Sequence, residues 1–358
     1  MINNERGVVD VSPKRNYLPI VFLILLVLLL ILVVVLFFYP LDLTKAEKES
    51  LVLCGDSTFY DSCSLDKPYY CSEGILIKKA SLCGCEEGQK IGEDCIYGLA
   101  SGEKNVSLKY SLEGIENQIV FPVYSGVANY LKNQSKIVTY SGKEIISRRE
   151  SNLINIDEET QELFLIPLVK EIQNLGKTKD DQARIAISLV QNIPFGETDK
   201  VVIFLGGEVP YTRYPYEVLF ENEGICEEKS NLLAFLLREL GYGVSLFYQP
   251  TENHASLGIK CPFEKSYKKT GYCFVETTGP SIIGDENIQY AGGIELFTKP
   301  EVSLISEGLI FGEENFYEYE DAKKMAKIYS DLGRTGYANS HDFRELAEKY
   351  GLAEVYNL

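Results

Sequence analysis

The stretch GICEEKSNLLAFLLRELGY, residues 224–242, decides how the rest of the chain is read. Leu233, Leu236, Leu237 and Leu240 recur at helical spacing, and Gly241 is a natural stop, so a helix is expected from about Cys226 to Leu240. Cys226 then stands at or beside the helix N-terminus. Unbonded N–H groups and the macrodipole there favour a thiolate and offer donors to an oxyanion. Glu227 and Glu228 oppose thiolate formation. Taken by itself, a cysteine at a helix start is more often a small buried hydrophobe than a nucleophile.

Downstream, Val244 to Tyr248 reads as a strand, and the polar turn Gln249-Pro250-Thr251-Glu252-Asn253 leads to His254. Ala255 to Ile259 reads as a second strand and Tyr272 to Thr278 as a third. Placed side by side, these strands bring His254 close to Glu276. A thiol needs a base, and an imidazole needs an acceptor that fixes its tautomer. Cys226, His254 and Glu276 supply those three roles in that order.

The strings GICEEKSNLLAFLLRELGY, HASLGI (254–259) and YCFVETTGP (272–280) resemble the transglutaminase-like superfamily, as do VQNIPF (190–195) and YPYEVLF (214–220) upstream. The resemblance covers about 156–290, with weaker likeness back to 105. It implies an α+β, papain-like core, with the cysteine opening a helix and the histidine and a carboxylate on successive strands. It also implies acyl transfer through a thioester on Cys226, with His254 as base and then acid and Glu276 orienting it. The chain departs from the family at Glu276, where Asp is usual, and at Ser256, where many members have Trp. Tryptophan is absent from the whole chain. Any role of that residue in transition-state stabilisation must fall to another group, for which Gln191 and Tyr214 are candidates. Water as acceptor gives a peptidase or amidase, the favoured reading. An amine gives a cross-linking enzyme, and an inactive descendant gives a surface binding or adhesion module.

The remaining sequence sets the compartment. From Asn16 to Leu41 no residue is charged, and 18–39 is almost unbroken Leu, Ile, Val and Phe. At ~1.5 Å per residue this spans roughly 33 Å, enough for a transmembrane helix. Arg6, Lys14 and Arg15 precede it, which favours a cytoplasmic N-terminus over 1–17. All nine cysteines follow it, as an oxidising exterior requires. Six of them lie within 51–99, at Cys54, Cys63, Cys71, Cys83, Cys85 and Cys95, among turn residues and without long apolar runs. A segment this small needs disulfides to hold it. KPYYC (67–71) and CGC (83–85) resemble small cysteine-rich modules of prokaryotic surface proteins. Cys261 and Cys273 flank one loop and can bridge, on the strand faces opposite to His254 and Glu276 by odd spacing. Cys226 is then left without a partner.

Residues 105–155 read as a β-rich lead-in, 156–312 as the transglutaminase-like domain and 313–358 as C-terminal helices, near 315–331 and 341–350, with Ser340 as N-cap. Helices are also expected at 157–175 and 180–191. The acidic string 313–321 reads as a solvated helix start, and His341 as a surface residue. The formal net charge of −17 makes nucleic-acid binding improbable, and two histidines exclude a three-His metal centre. No cofactor and no metal is expected. The expected partners are the membrane and a protein or peptide substrate at the cell surface.

Overall fold

The computed structural model describes residues 18–38, 53–134, 147–198, 200–204, 207–286 and 296–352. The expected N-terminal segment 1–17 lies outside them. The chain divides into two compact units, one of residues 1–65 and 70–77, the other of 66–69 and 78–358.

In the first unit, α1 (Leu18–Phe38) is long and apolar enough to cross a membrane, and its side chains from Leu18 to Val35 are exposed. Water does not tolerate so long an apolar surface. Cys54 bonds to Cys71, and strand β1 (Tyr69–Ser72) pairs with β2 (Ile75–Lys78).

In the second unit, helix α2 (Ala80–Cys83) precedes a hairpin of β3 (Gln89–Ile91) and β4 (Asp94–Ile96), stapled by Cys85–Cys95. A long antiparallel hairpin follows, β5 (Glu103–Leu112) with β6 (Ile115–Tyr124). Its buried residues Val106, Leu108 and Tyr110 alternate with exposed ones, as a sheet with one covered face requires.

Among the described residues of 105–155, which exclude 135–146, strands run to Tyr124 and helices follow. Helix α3 (Ser125–Lys132) comes next, burying Val127 and Leu131 at i, i+4. Helix α4 (Arg148–Ile156) opens on a capping box, in which Ser147 and Glu150 satisfy each other's backbone N–H groups. That Ser-x-x-Glu signal is local, and it outweighs the β-branched neighbourhood.

Helices α5 (Glu159–Leu175) and α6 (Lys179–Gln191) bury Leu165, Leu168, Ile172, Ile185, Ala186 and Leu189. A hairpin of β7 (Val201–Phe204) and β8 (Gly207–Pro210) leads to α7 (Pro215–Glu221), which starts with proline at its first position.

Helix α8 (Cys226–Glu239) is the centre of the unit. Every residue from Glu228 to Leu237 is buried, so the helix is enclosed on all sides rather than along one stripe. Full burial of each Leu or Phe contributes about 1.5–3 kcal/mol. It packs on a four-stranded antiparallel sheet, ordered β11 (Tyr272–Val275), β10 (His254–Lys260), β9 (Val244–Gln249), β12 (Glu301–Ser306). Between β10 and β11 lie two single-turn 3₁₀ helices. Leu257, Ile259, Cys261, Cys273 and Val275 join the cluster that includes the α8 leucines, and Cys261 bonds to Cys273. Phe247 and Phe274 sit on the other face, under the ring of Tyr267 at 5.6 and 5.3 Å.

Two helices close the chain, α9 (Tyr317–Thr335) and α10 (Ser340–Lys349). Asn339, not Ser340, caps α10, because its side chain accepts from the N–H groups of His341 and Asp342. The start of α9 is not simply solvated. Glu318 is buried there and paired with Arg184 of α6 at 2.5 Å, because Arg184 brings a guanidinium into the interface. His341 is exposed.

Candidate active site

Three features fix the start of α8. Ile225 is its N-cap and has no side-chain acceptor for the first-turn N–H groups. Glu228 reaches back to accept the Ile225 N–H at 3.0 Å. Glu228 is itself buried, and Arg213 neutralises it through Nη1 at 2.9 Å and its backbone N–H at 2.7 Å. The same guanidinium binds Glu221 and Glu223, each at 2.6 Å, and the Gly196 carbonyl at 3.1 Å. One arginine thus holds the end of α7, the loop before α8 and the first turn of α8. An isolated buried carboxylate there would be costly.

Cys226, partly exposed, is the free cysteine among the described residues, and the other eight are disulfide-bonded. His254 opens β10 opposite Gln249. The turn before it is anchored twice. Asn253 takes a left-handed backbone (φ 49°), which asparagine tolerates better than most residues. The Glu252 carboxylate accepts from the Thr298 hydroxyl at 2.6 Å and from the N–H groups of Thr298 and Phe297 at 2.9 and 3.0 Å. The hydroxyl and these N–H groups pull the Glu252 carboxyl down to about 2.

Glu276 lies one residue past the end of β11, where the expected strand ran on to Thr278. The strand stops because the carboxylate captures the donors that would continue the ladder. Its Oε1 accepts from Thr277 N at 2.9 Å, Thr278 N at 2.7 Å and the Thr278 hydroxyl at 2.6 Å, which turns the chain. Its Oε2 is left for His254 Nε2, at 3.0 Å.

Both partners of the pair are buried, His254 being 6% and Glu276 1% exposed. His254 is also hydrogen-bonded to the Cys226 side chain. Burial works against the imidazolium, but the hydrogen bonds and negative charges of Cys226 and Glu276 outweigh it and raise the His254 pKa to about 9. The structure therefore brings Cys226, His254 and Glu276 together in one chain of contacts. A thiol, an imidazole and a carboxylate so linked can hold a thiolate–imidazolium pair.

The two residues considered as oxyanion donors are placed differently. Gln191 is buried and its Nε2 is taken up by the Glu276 carbonyl at 2.9 Å and by the Ser281 hydroxyl and carbonyl at 3.0 and 3.3 Å. Tyr214 is buried at the N-cap of α7, where its N–H donates to Glu217 at 2.9 Å. The placement of Gln191 is not visible from spacing, because its partners lie 85 and 90 residues further along the chain. Lys229, Arg213 and Thr277 are the supporting residues that spacing alone does not disclose. The one local signal was a lysine set within a leucine-rich helix.

At the rim, the Arg148 guanidinium lies 3.5 Å above the Tyr248 ring centroid and 3.6 Å from the Glu227 carboxylate. No group of three or more His, Cys, Asp or Glu side chains suited to a metal ion occurs among the described residues.

No family model and no curated protein matches the chain. Among solved structures, calcium-bound LapG of Legionella pneumophila aligns with 51% of this chain and 99% of its own, at 15% identity and a TM-score of 0.26. A likeness that slight carries no inference about activity.

Proposed function

We propose that the chain is a membrane-anchored thiol enzyme of transglutaminase-like type, acting outside the cell on peptide or side-chain amides. The observation that carries this reading is the contact chain from the unpaired Cys226 through His254 to Glu276. With Nε2 committed to Glu276, Nδ1 of His254 is the nitrogen that exchanges a proton with the thiol. The Cys226 thiolate attacks the amide carbonyl, and the oxyanion that forms is met by N–H groups of the first turn of α8, which lack a side-chain cap. The imidazolium gives its proton to the departing amine, leaving a thioester and a neutral imidazole. His254 then takes a proton from the acceptor as it attacks the thioester, and Cys226 leaves as thiolate. Water as acceptor yields hydrolysis and a free amine yields a cross-link. A hydrolase needs no dedicated amine site, so hydrolysis is the reading adopted.

The apolar α1 and eight disulfide-bonded cysteines support the placement, with the N-terminus cytoplasmic and the bulk of the chain outside. The test treats the full chain in detergent, disulfides intact, with iodoacetamide at pH 7 and maps the label. Stoichiometric labelling of Cys226, faster than a model thiol and abolished in excess by His254→Ala, is the expected result. Labelled protein should then release no product from acyl donors that the unlabelled protein consumes. Labelling no faster than a model thiol would instead mark Cys226 as structural and the domain as a binding module.

A further inference from the structure

Lys229 follows Cys226 by one turn of α8 and is wholly buried. Lysine is almost never fully buried without partners. Its Nζ donates to the carbonyls of Thr278 at 3.1 Å, Gln191 at 3.4 Å and Ile193. Three carbonyls match the three N–H bonds of an ammonium group. Two of them belong to the end of α6 and the residues after it, and the third to the loop that follows β11. Gln191 extends the network by donating its Nε2 to the Glu276 carbonyl. The Glu276–Thr278 peptide is therefore held on one side by Lys229 and on the other by its own carboxylate.

We infer that Lys229 is a positioning residue, fixing the Glu276–Thr278 loop to α8 so that Glu276 meets His254 beside Cys226. The inference rests on the reading of Cys226, His254 and Glu276 as one reacting set. Its local electrostatics are opposed: burial pulls Lys229 down to about 7, while the Glu276 carboxylate pulls it up.

The imidazole of His254 distinguishes positioning from mere charge. Removing a nearby positive charge, by itself, raises the His254 pKa while Lys229 is protonated and leaves it unchanged above about 7, where Lys229 has lost its proton. Releasing the Glu276 loop lowers it, because His254 loses a partner that holds the imidazolium. Only release of the loop lowers the His254 pKa. Only two histidines exist, so histidine-selective NMR of the full chain in detergent micelles reports His254 directly, with exposed His341 as the second signal.

Lys229→Met is titrated from mildly acid to mildly alkaline pH alongside the parent protein. The expected result is a cooperatively folded variant whose His254 pKa falls from about 9 by roughly one unit or more. Cys226 alkylation at pH 7 should slow by about tenfold in parallel. Lys229→Gln, which keeps one donor group, should give an intermediate His254 value. An unchanged or raised His254 pKa in either folded variant overturns the inference, and so does failure of both variants to fold, which would make Lys229 structural only. Should the His254 pKa fall while the parent protein shows no His254-dependent thiol reactivity, the positioning stands and the enzymatic reading fails.

Discussion

The hydroxyl of Thr277 donates to the carbonyl of Cys226 at 3.3 Å, tying the residue after Glu276 to the first residue of α8. The same hydroxyl lies 3.0 Å from that of Ser230, one turn further along the helix. Both residues are wholly buried. Sheet and helix are thus joined by hydrogen bonds at the level of Cys226 and Glu276, not only by packed leucines.

Thr277→Val keeps the shape and removes both bonds, leaving the Ser230 hydroxyl buried without that partner. The expected cost is about 1–3 kcal/mol of stability, read by chemical denaturation. Cys226 alkylation should slow as well. A variant as stable and as reactive as the parent would show that this tie is incidental.

Glu276→Gln keeps volume and removes charge. His254 then loses one of the two groups that raise its pKa above burial's opposing pull, so its titration should move from about 9 toward 6.5. NMR titration of the two histidines measures this. No movement would mean that Cys226 alone sustains the imidazolium.

The raised His254 pKa also sets a pH dependence of stability. The folded value, about 9, lies above the ordinary 6.5, so the contribution is fully present below 6.5 and is lost as pH rises through 9. Its size is on the order of 3 kcal/mol. The stability difference between the parent and His254→Asn should therefore shrink between pH 6.5 and 9, read by denaturant midpoints at matched ionic strength. A difference that grows over that window contradicts the assignment.

Arg213→Met leaves Glu228 buried with its principal counter-charge removed. Breaking such a pair costs about 3–5 kcal/mol, because the stranded carboxylate must be desolvated alone. Arg213→Lys should recover little, since one ammonium cannot serve Glu221, Glu223 and Glu228 in the fork geometry the guanidinium provides. Thermal denaturation of the two variants checks both statements. Stability of the Lys variant equal to the parent's would show that charge alone suffices.

Opening the Cys261–Cys273 bridge by a double serine substitution removes a link across a sequence separation of 12 residues. The chain-entropy estimate for that loop is about 3 kcal/mol. Both sulfurs lie in the cluster against α8, but neither takes part in the contacts that link Cys226, His254 and Glu276, so Cys226 alkylation should keep its rate while the denaturation midpoint falls. A matching loss of thiol reactivity would couple the staple to the site.

Much of this was legible in the residue order. Helical spacing of leucines after Cys226, the turn before His254 and the two-residue alternation around it are local signals, and local signals set secondary structure. The apolar run from Leu18 and the odd cysteine count are likewise properties of the chain alone, and they point to a helix long enough to cross a membrane and to one thiol left over. Ser147 and Glu150, which cap α4, are a local signal of the same kind.

Other features needed the folded chain. Lys229 finds carbonyls 36, 38 and 49 residues away, and Gln191 reaches Glu276 across 85. Arg184 draws Glu318 into the interior across 134 residues, against the reading of that acidic string as solvated. No periodicity records such partners. A charged side chain is stable inside a protein only where others meet it, and which others do so is decided when the helices and the sheet close on one another.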